Sequence, residues 1–166
     1  MTATHTSAYT RTHTAAYVSD KMRNLLKLMV VYYGLNATAL LDAWTSWVDR
    51  AARAWLESGH LTAIVIEFYV PGQTVAAARW DFPIRYDGNG TDEMWADREF
   101  FEGSLAKSKA PPPGCVYRVL LAKSAGAPRV EGVGDTSYLA INGLVAREAG
   151  TAIATPDLMA SMRYYR

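Results

Sequence analysis

The sequence predicts a single-domain α+β protein. Two long segments of helical apolar period occupy its first third, and two segments of strand character follow them directly. With 166 residues, half of them apolar and a fifth charged, one domain can bury its own core without disulfide or metal. Seventeen basic against sixteen acidic residues leave a net charge of +1 with no long run of either sign, which excludes an electrostatically driven nucleic-acid groove or anionic-membrane surface. A lone cysteine, Cys115, rules out an internal disulfide and a multi-thiolate zinc site. No apolar run approaches the ~20 residues of a membrane span, and the start, rich in Ser and Thr, lacks the pattern of a secretion signal. Cytoplasm is the expected compartment.

The first periodic segment places Val18, Met22, Leu25, Leu26, Met29, Val30 and Tyr33 on one stripe and ends at Gly34, an amphipathic helix. A second carries Leu40, Trp44, Trp47, Val48, Ala51 and Trp55 and stops at Gly59, with Asp49, Arg50, Arg53 and Glu57 on other faces. Residues 61–70 are almost continuously apolar and β-branched or aromatic, as in a central strand covered on both faces. From 75 to 86, Ala76, Ala78, Trp80, Phe82 and Ile84 alternate with Ala77, Arg79, Asp81 and Arg85, the period of a half-exposed strand. Pro71, Gly72 and Gln73 between them form a hairpin connection. Thr91 or Asp92 caps a third helix bearing Met94, Arg98, Phe101 and Leu105, ended by Pro111–Pro113 and Gly114. Residues 115–122 return to strand character with Arg118 their one polar side chain. From Ser124 on, short apolar clusters are separated by Gly126, Gly132, Gly134, Gly143 and Gly150. That composition suits either a meander of short strands completing the sheet or a tail able to adopt more than one packing.

No arrangement has the spacing catalysis needs. Gly132 and Gly134 are too few for a dinucleotide loop, and His5, His13 and His60 are scattered without a Cys or carboxylate cluster, so no metal is expected. Asp92, Glu93, Asp97 and Glu99 fall where negative charge offsets a helix dipole. Cys115 has no activating neighbour and reads as a small core hydrophobe. Trp44, Trp47, Trp55, Trp80 and Trp95 lack interleaved cations for base stacking and read as core. No catalytic residue, cofactor or enzymatic activity is therefore expected, and binding of other polypeptides is.

Specific stretches resemble the HORMA domain, in particular the bacterial HORMA proteins. The opening Thr4-His5-Thr6 through Thr12-His13-Thr14-Ala15-Ala16-Tyr17-Val18-Ser19-Asp20-Lys21 is similar to that family's start. Trp55-Leu56-Glu57-Ser58-Gly59-His60-Leu61 into Glu67-Phe68-Tyr69, then Arg79-Trp80-Asp81, resembles its second helix and hairpin. Pro128-Arg129-Val130-Glu131-Gly132 with Ser137-Tyr138 and Asn142-Gly143-Leu144-Val145 resembles its C-terminal segment. The resemblance implies an antiparallel core sheet backed by three helices, with a mobile C-terminal safety belt that refolds around an extended closure-motif peptide added to a sheet edge. Carried onto this chain it implies one HORMA domain over 1–166: a flexible segment 1–12, a core 13–123 and a belt 124–166. The peptide would lie along Val116, Tyr117, Arg118, Val119, Leu120 and Leu121, covered by Tyr138, Leu139 and Ile141.

Bacterial proteins of this kind resemble components of cyclic-oligonucleotide anti-phage (CBASS) systems. The implied partners are the closure-motif peptide, a cGAS/DncV-like nucleotidyltransferase activated by the closed form, and an AAA+ ATPase that engages Thr2, Thr4, His5 and Thr6 and reopens the belt. A second HORMA protein is a further partner if residues 152–166, where Thr155-Pro156 has the form of a helix start, act as a short helix or linear motif instead of belt. Neither membrane nor nucleic acid is implied as a partner. The rival readings are a structural or assembly subunit pairing through its edge strand and tail, and a small enzyme or carrier with an aromatic pocket.

Overall fold

The structure is a computed structural model that describes residues 3–88 and 90–166. Its elements run α1 (Ala3–Tyr32), α2 (Thr38–Ala43), a π turn (Trp44–Val48), α3 (Asp49–Glu57), β1 (Leu61–Tyr69), β2 (Ala78–Arg85), β3 (Trp95–Ala96), α4 (Arg98–Lys107), β4 (Val116–Lys123), β5 (Ala146–Ala154) and β6 (Met159–Tyr165). The π turn joins α2 and α3 without a break, so three helical bodies back the sheet. Six strands form one sheet in the order β3-β5-β6-β2-β1-β4, every strand pair antiparallel. This is the α+β architecture the sequence implies, with β1 in the interior of the sheet as its apolar run requires.

Alternation sorts the sheet into two faces. Ile64, Ile66 and Phe68 of β1, Trp80, Phe82 and Ile84 of β2, and Ala160, Met162 and Tyr164 of β6 point to the helices. There they meet Val18, Met22, Leu25, Leu26 and Met29 of α1 and Leu40, Trp44, Val48, Trp55 and Leu56 of the second helical body. Burying this interior is the main force holding the layers together. The opposite face carries Val65 and Glu67, Arg79 and Asp81, Arg118 and Leu120, Arg163 and Tyr165. Register lines them up in rows across the sheet, Arg118–Glu67–Arg79–Tyr165 and Leu120–Val65–Asp81–Arg163.

Several expectations are corrected. The first helix starts at Ala3, well ahead of the apolar stripe that begins near Val18. Thr91 and Asp92 do not cap α4; the cap is Asp97, whose carboxylate accepts the Phe100 N–H at 2.9 Å. β2 is not half-exposed: Asp81 is 1% exposed and Arg79 is largely covered, because the C-terminal segment lies over their face. Residues 152–166 hold no helix. Thr155 accepts the Leu158 N–H on its hydroxyl at 2.9 Å and donates that hydroxyl to the Leu158 carbonyl at 2.6 Å, a turn that joins β5 to β6. Gly88 packs against this turn so closely that a Cβ there would lie 2.0 Å from the Pro156 carbonyl oxygen. No helix of the described residues is long and apolar enough to cross a membrane.

Candidate functional site

The C-terminal quarter divides at residue 145. Residues 146–165 are a hairpin paired through β6 to β2, on the side of the sheet away from β4. Residues 124–145 are a strap that leaves the end of β4, passes on the helix side, rounds the β4 edge and crosses the outer face. Its anchors trace that path. On the helix side, the Trp55 indole N–H donates to the Pro128 carbonyl at 2.7 Å, Arg50 to that of Glu131 at 2.9 Å, and Val130 enters the core. At the edge, Lys123 pairs with Asp135 at 3.3 Å. On the outer face, Glu67 accepts the Leu139 N–H at 2.8 Å and Arg118 donates to the Ser137 carbonyl at 2.6 Å. Ala140 then exchanges backbone hydrogen bonds with Ala76 and Thr74 beside the β1–β2 turn, before Val145 pairs with Arg166.

Two buried carboxylates fasten these pieces. Glu67, fully buried, also takes the Arg118 Nε at 2.7 Å, so a single side chain joins the sheet interior, the β4 edge and the strap. Asp81 accepts two hydrogen bonds from Arg79, at 2.7 and 3.1 Å, one from Arg163 at 2.9 Å and one from the Tyr165 hydroxyl at 3.0 Å, tying β6 to β2. Hydrogen bonds of this number offset the cost of burying a carboxylate. Burial works against the Arg79 cation, but Asp81 outweighs it and raises the guanidinium above its ordinary value. The Arg79 guanidinium lies 4.2 Å from the centroid of the Tyr138 ring and 4.9 Å from that of Tyr165, linking strap and hairpin. Burial raises the Tyr138 hydroxyl, which stays protonated at neutral pH.

Between strap and β4 lies a slot of about 490 Å³ lined by residues 118–123, by Gly132, Val133, Gly134, Asp135, Thr136 and Tyr138, and by Trp47 and Trp55. Of the residues that sequence assigned to a peptide, Arg118, Val119, Leu120, Leu121 and Tyr138 line it. Val116 and Tyr117 lie beyond its end, where the Tyr117 hydroxyl donates to the Asn36 carbonyl at 2.6 Å. Leu139 and Ile141 belong to the outer-face crossing and are not among its lining residues. Sequence reasoning missed Trp47, Trp55, Asp135 and the Glu67 anchor. Helical period alone put the tryptophans in the core, and there Trp44, Trp55 and Trp80 indeed are, while Trp95 is 38% exposed. The side chains of Thr4, His5 and Thr6, and all of Thr2, lie outside the described residues; the backbone of residues 4–6 is helical. Among the described residues no group of three His, Cys, Asp or Glu side chains is placed to hold a metal ion. Burial pushes the Cys115 thiol up.

No curated protein matches the chain. Solved structures do. A chain of the mitotic checkpoint complex superposes with a TM-score of 0.71 at 7% identity, covering 92% of this chain and 97% of that one. The E. coli MS115-1 HORMA:CdnC:Trip13 complex contains a match with a TM-score of 0.59 at 15% identity, covering 93% and 89%. C. elegans HTP-2 bound to the HIM-3 closure motif gives 0.55 at 17%, covering 79% and 71%. These likenesses establish the HORMA fold. The sequence profile of bacterial HORMA domain 2 matches residues 2–166, and the chain belongs to that family.

Proposed function

We propose that this chain is a non-enzymatic peptide clasp of bacterial anti-phage signalling. Closed on an extended closure-motif peptide, it binds and activates a cGAS/DncV-like nucleotidyltransferase; an AAA+ ATPase pulling on its N-terminal segment reopens it. One observation carries this reading: an edge strand, β4, has its outer edge bridged by a strap anchored on both faces of the sheet, with a slot of about 490 Å³ between them. An edge strand offers a row of backbone donors and acceptors, and a peptide laid along it satisfies them while the strap closes over it. The hairpin on the opposite edge is what leaves β4 free, so this arrangement corresponds to the closed state.

A HORMA protein complexed with CdnC and Trip13, and HTP-2 complexed with a closure motif, supply the partner classes. Residues 124–145 are the belt proper in this reading, and 146–165 the part that changes edges. The cytoplasm, where such a synthase works, is the expected location.

Random-peptide display on the full chain tests the proposal, followed by amide hydrogen exchange on the complex. An extended consensus whose binding slows exchange across residues 118–123 is the expected result; protection confined to another surface overturns the assignment. Addition of the peptide-bound chain to a CdnC-type synthase should raise cyclic-nucleotide output over that of the chain alone. The rival reading, an assembly subunit pairing through the same edge, predicts concentration-dependent oligomers in light scattering. The strap argues against it, since a strand still attached to a folded neighbour would have to displace the strap, whereas a free peptide can lie beneath it.

A further inference from the structure

The floor of the slot comes from the helical body that contains the π turn. Asp49 donates its N–H back five residues to the Trp44 carbonyl, and such one-residue expansions recur at functional sites. Of the turn's own residues Trp44 and Val48 stay in the core, as do Leu40 and Trp55 on either side of it, while Trp47 is only half-buried and faces the slot. The body runs along β4. The Leu40 N–H meets the Tyr117 hydroxyl at 3.0 Å near one end, and the Lys123 ammonium lies 5.0 Å from the Trp55 ring centroid near the other. The odd-numbered side chains of β4, from Tyr117 through Val119 and Leu121 to Lys123, therefore face this helix, and Trp47 lies between the two ends. The even-numbered ones, Arg118, Leu120 and Ala122, face the strap's outer crossing.

The charges around the slot are already spoken for. Arg118 is held by Glu67 and the Ser137 carbonyl, and Lys123 and Asp135 pair with each other. No other charged side chain lines it. A ligand is then selected by apolar shape and not by charge. A strand added beside β4 keeps the alternation of the sheet, so its residues opposite Val119 and Leu121 point to the helix side.

We infer that the slot selects an extended peptide through one large apolar side chain, seated on the Trp47 indole at a position opposite Val119 or Leu121. This rests on the peptide-clasp reading and names its ligand class and its specificity-determining residue. An aromatic floor that a bound peptide would cover is the setting in which one anchor carries much of the affinity.

Random-peptide display on the full chain, followed by a double-mutant cycle, tests it. One position should be enriched in Leu, Ile, Met, Phe or Trp, and its replacement by Ala should weaken Kd about 30-fold or more. On Trp47→Ala the parent peptide and its Ala form should bind within about threefold of each other, because the partner of the anchor is gone. Should Trp47→Ala not fold, Trp47→Leu takes its place, and the consensus should shift between aromatic and aliphatic anchors. A consensus without an apolar position, or an anchor whose loss costs as much on the variant as on the parent, overturns the inference and leaves the clasp intact. A folded chain that retains no peptide at all overturns both.

Discussion

The strap and the hairpin are neighbours in sequence and opposites in construction. In the hairpin, Ala152, Ile153, Leu158, Ala160 and Met162 are fully buried, and two strand pairings tie it to the sheet. Most of the strap is exposed; Val130 is its one buried hydrophobic residue, and individual hydrogen bonds to side chains of the core hold it at intervals. Apolar burial and ladder bonding make the hairpin part of the cooperative unit, whereas point anchors let a segment open locally at much lower free energy. On the peptide-clasp reading, the hairpin sets which edge is free and contributes to global stability, and the strap sets how fast the slot opens.

The largest effect belongs to the hairpin. Asp81→Ala leaves the covered Arg79 without its counter-charge and Arg163 with only the exposed Glu148 at 3.5 Å, and removing one partner of a buried ion pair costs about 3–5 kcal/mol. Chemical denaturation should show a loss of that size, with faster exchange throughout β5 and β6. A loss below about 1 kcal/mol would mean that apolar packing alone seats the hairpin and that the polar outer face is incidental.

Glu67→Gln moves the test to the strap. The neutral amide can still accept from Leu139, but it no longer holds Arg118 by charge, and a hydrogen bond to a charged group is worth about 1.5–3 kcal/mol. Peptide dissociation should accelerate roughly tenfold or more while the denaturation midpoint moves less than it does for Asp81→Ala. Equal falls in midpoint with unchanged dissociation would erase the distinction between the two segments.

How far this was legible in the sequence follows the same boundary. The helices and strands β1, β2 and β4 were readable because each has a sustained period of one kind, and β1 declares its interior place by having almost no polar residue. β3 was not, since its two residues are too short for a period and lie in the stretch that Met94 assigned to the third helix. β6 was readable too: in the stretch Met159–Tyr165 every second residue is buried, but Thr155-Pro156 before it imitates a helix start and masked the period of two. The site was half legible. Arg118, Val119, Leu120, Leu121 and Tyr138 came from carrying the HORMA resemblance onto β4 and the C-terminal segment, but Glu67 sits in a run that periodicity marks only as strand. Its pairing with Leu139 spans 72 residues, and no local pattern encodes such a contact. Trp47 shares the π turn with the buried Trp44, and the helical period that groups Trp44, Trp47 and Trp55 does not register which of them faces the slot.

The smallest effect probes a single strap anchor. Trp55→Phe keeps an aromatic ring in the core but deletes the indole N–H that reaches Pro128. One neutral hydrogen bond contributes about 0.5–1.5 kcal/mol, and Arg50 on Glu131 and Val130 in the core still hold the strap just after Pro128. Because exchange from a locally opening segment scales with the free energy of that opening, about 1 kcal/mol corresponds to roughly a fivefold rate. The Ala127 and Val133 amides, whose bonds to Ser124 and Val130 hold the bend, should exchange that much faster. The Asp97 amide, bonded to Ala152 at the far edge of the hairpin, should not change beyond the shift in global stability. If both sets speed up together, strap and hairpin open as one unit, and the slot cannot admit a peptide without the hairpin also leaving its edge.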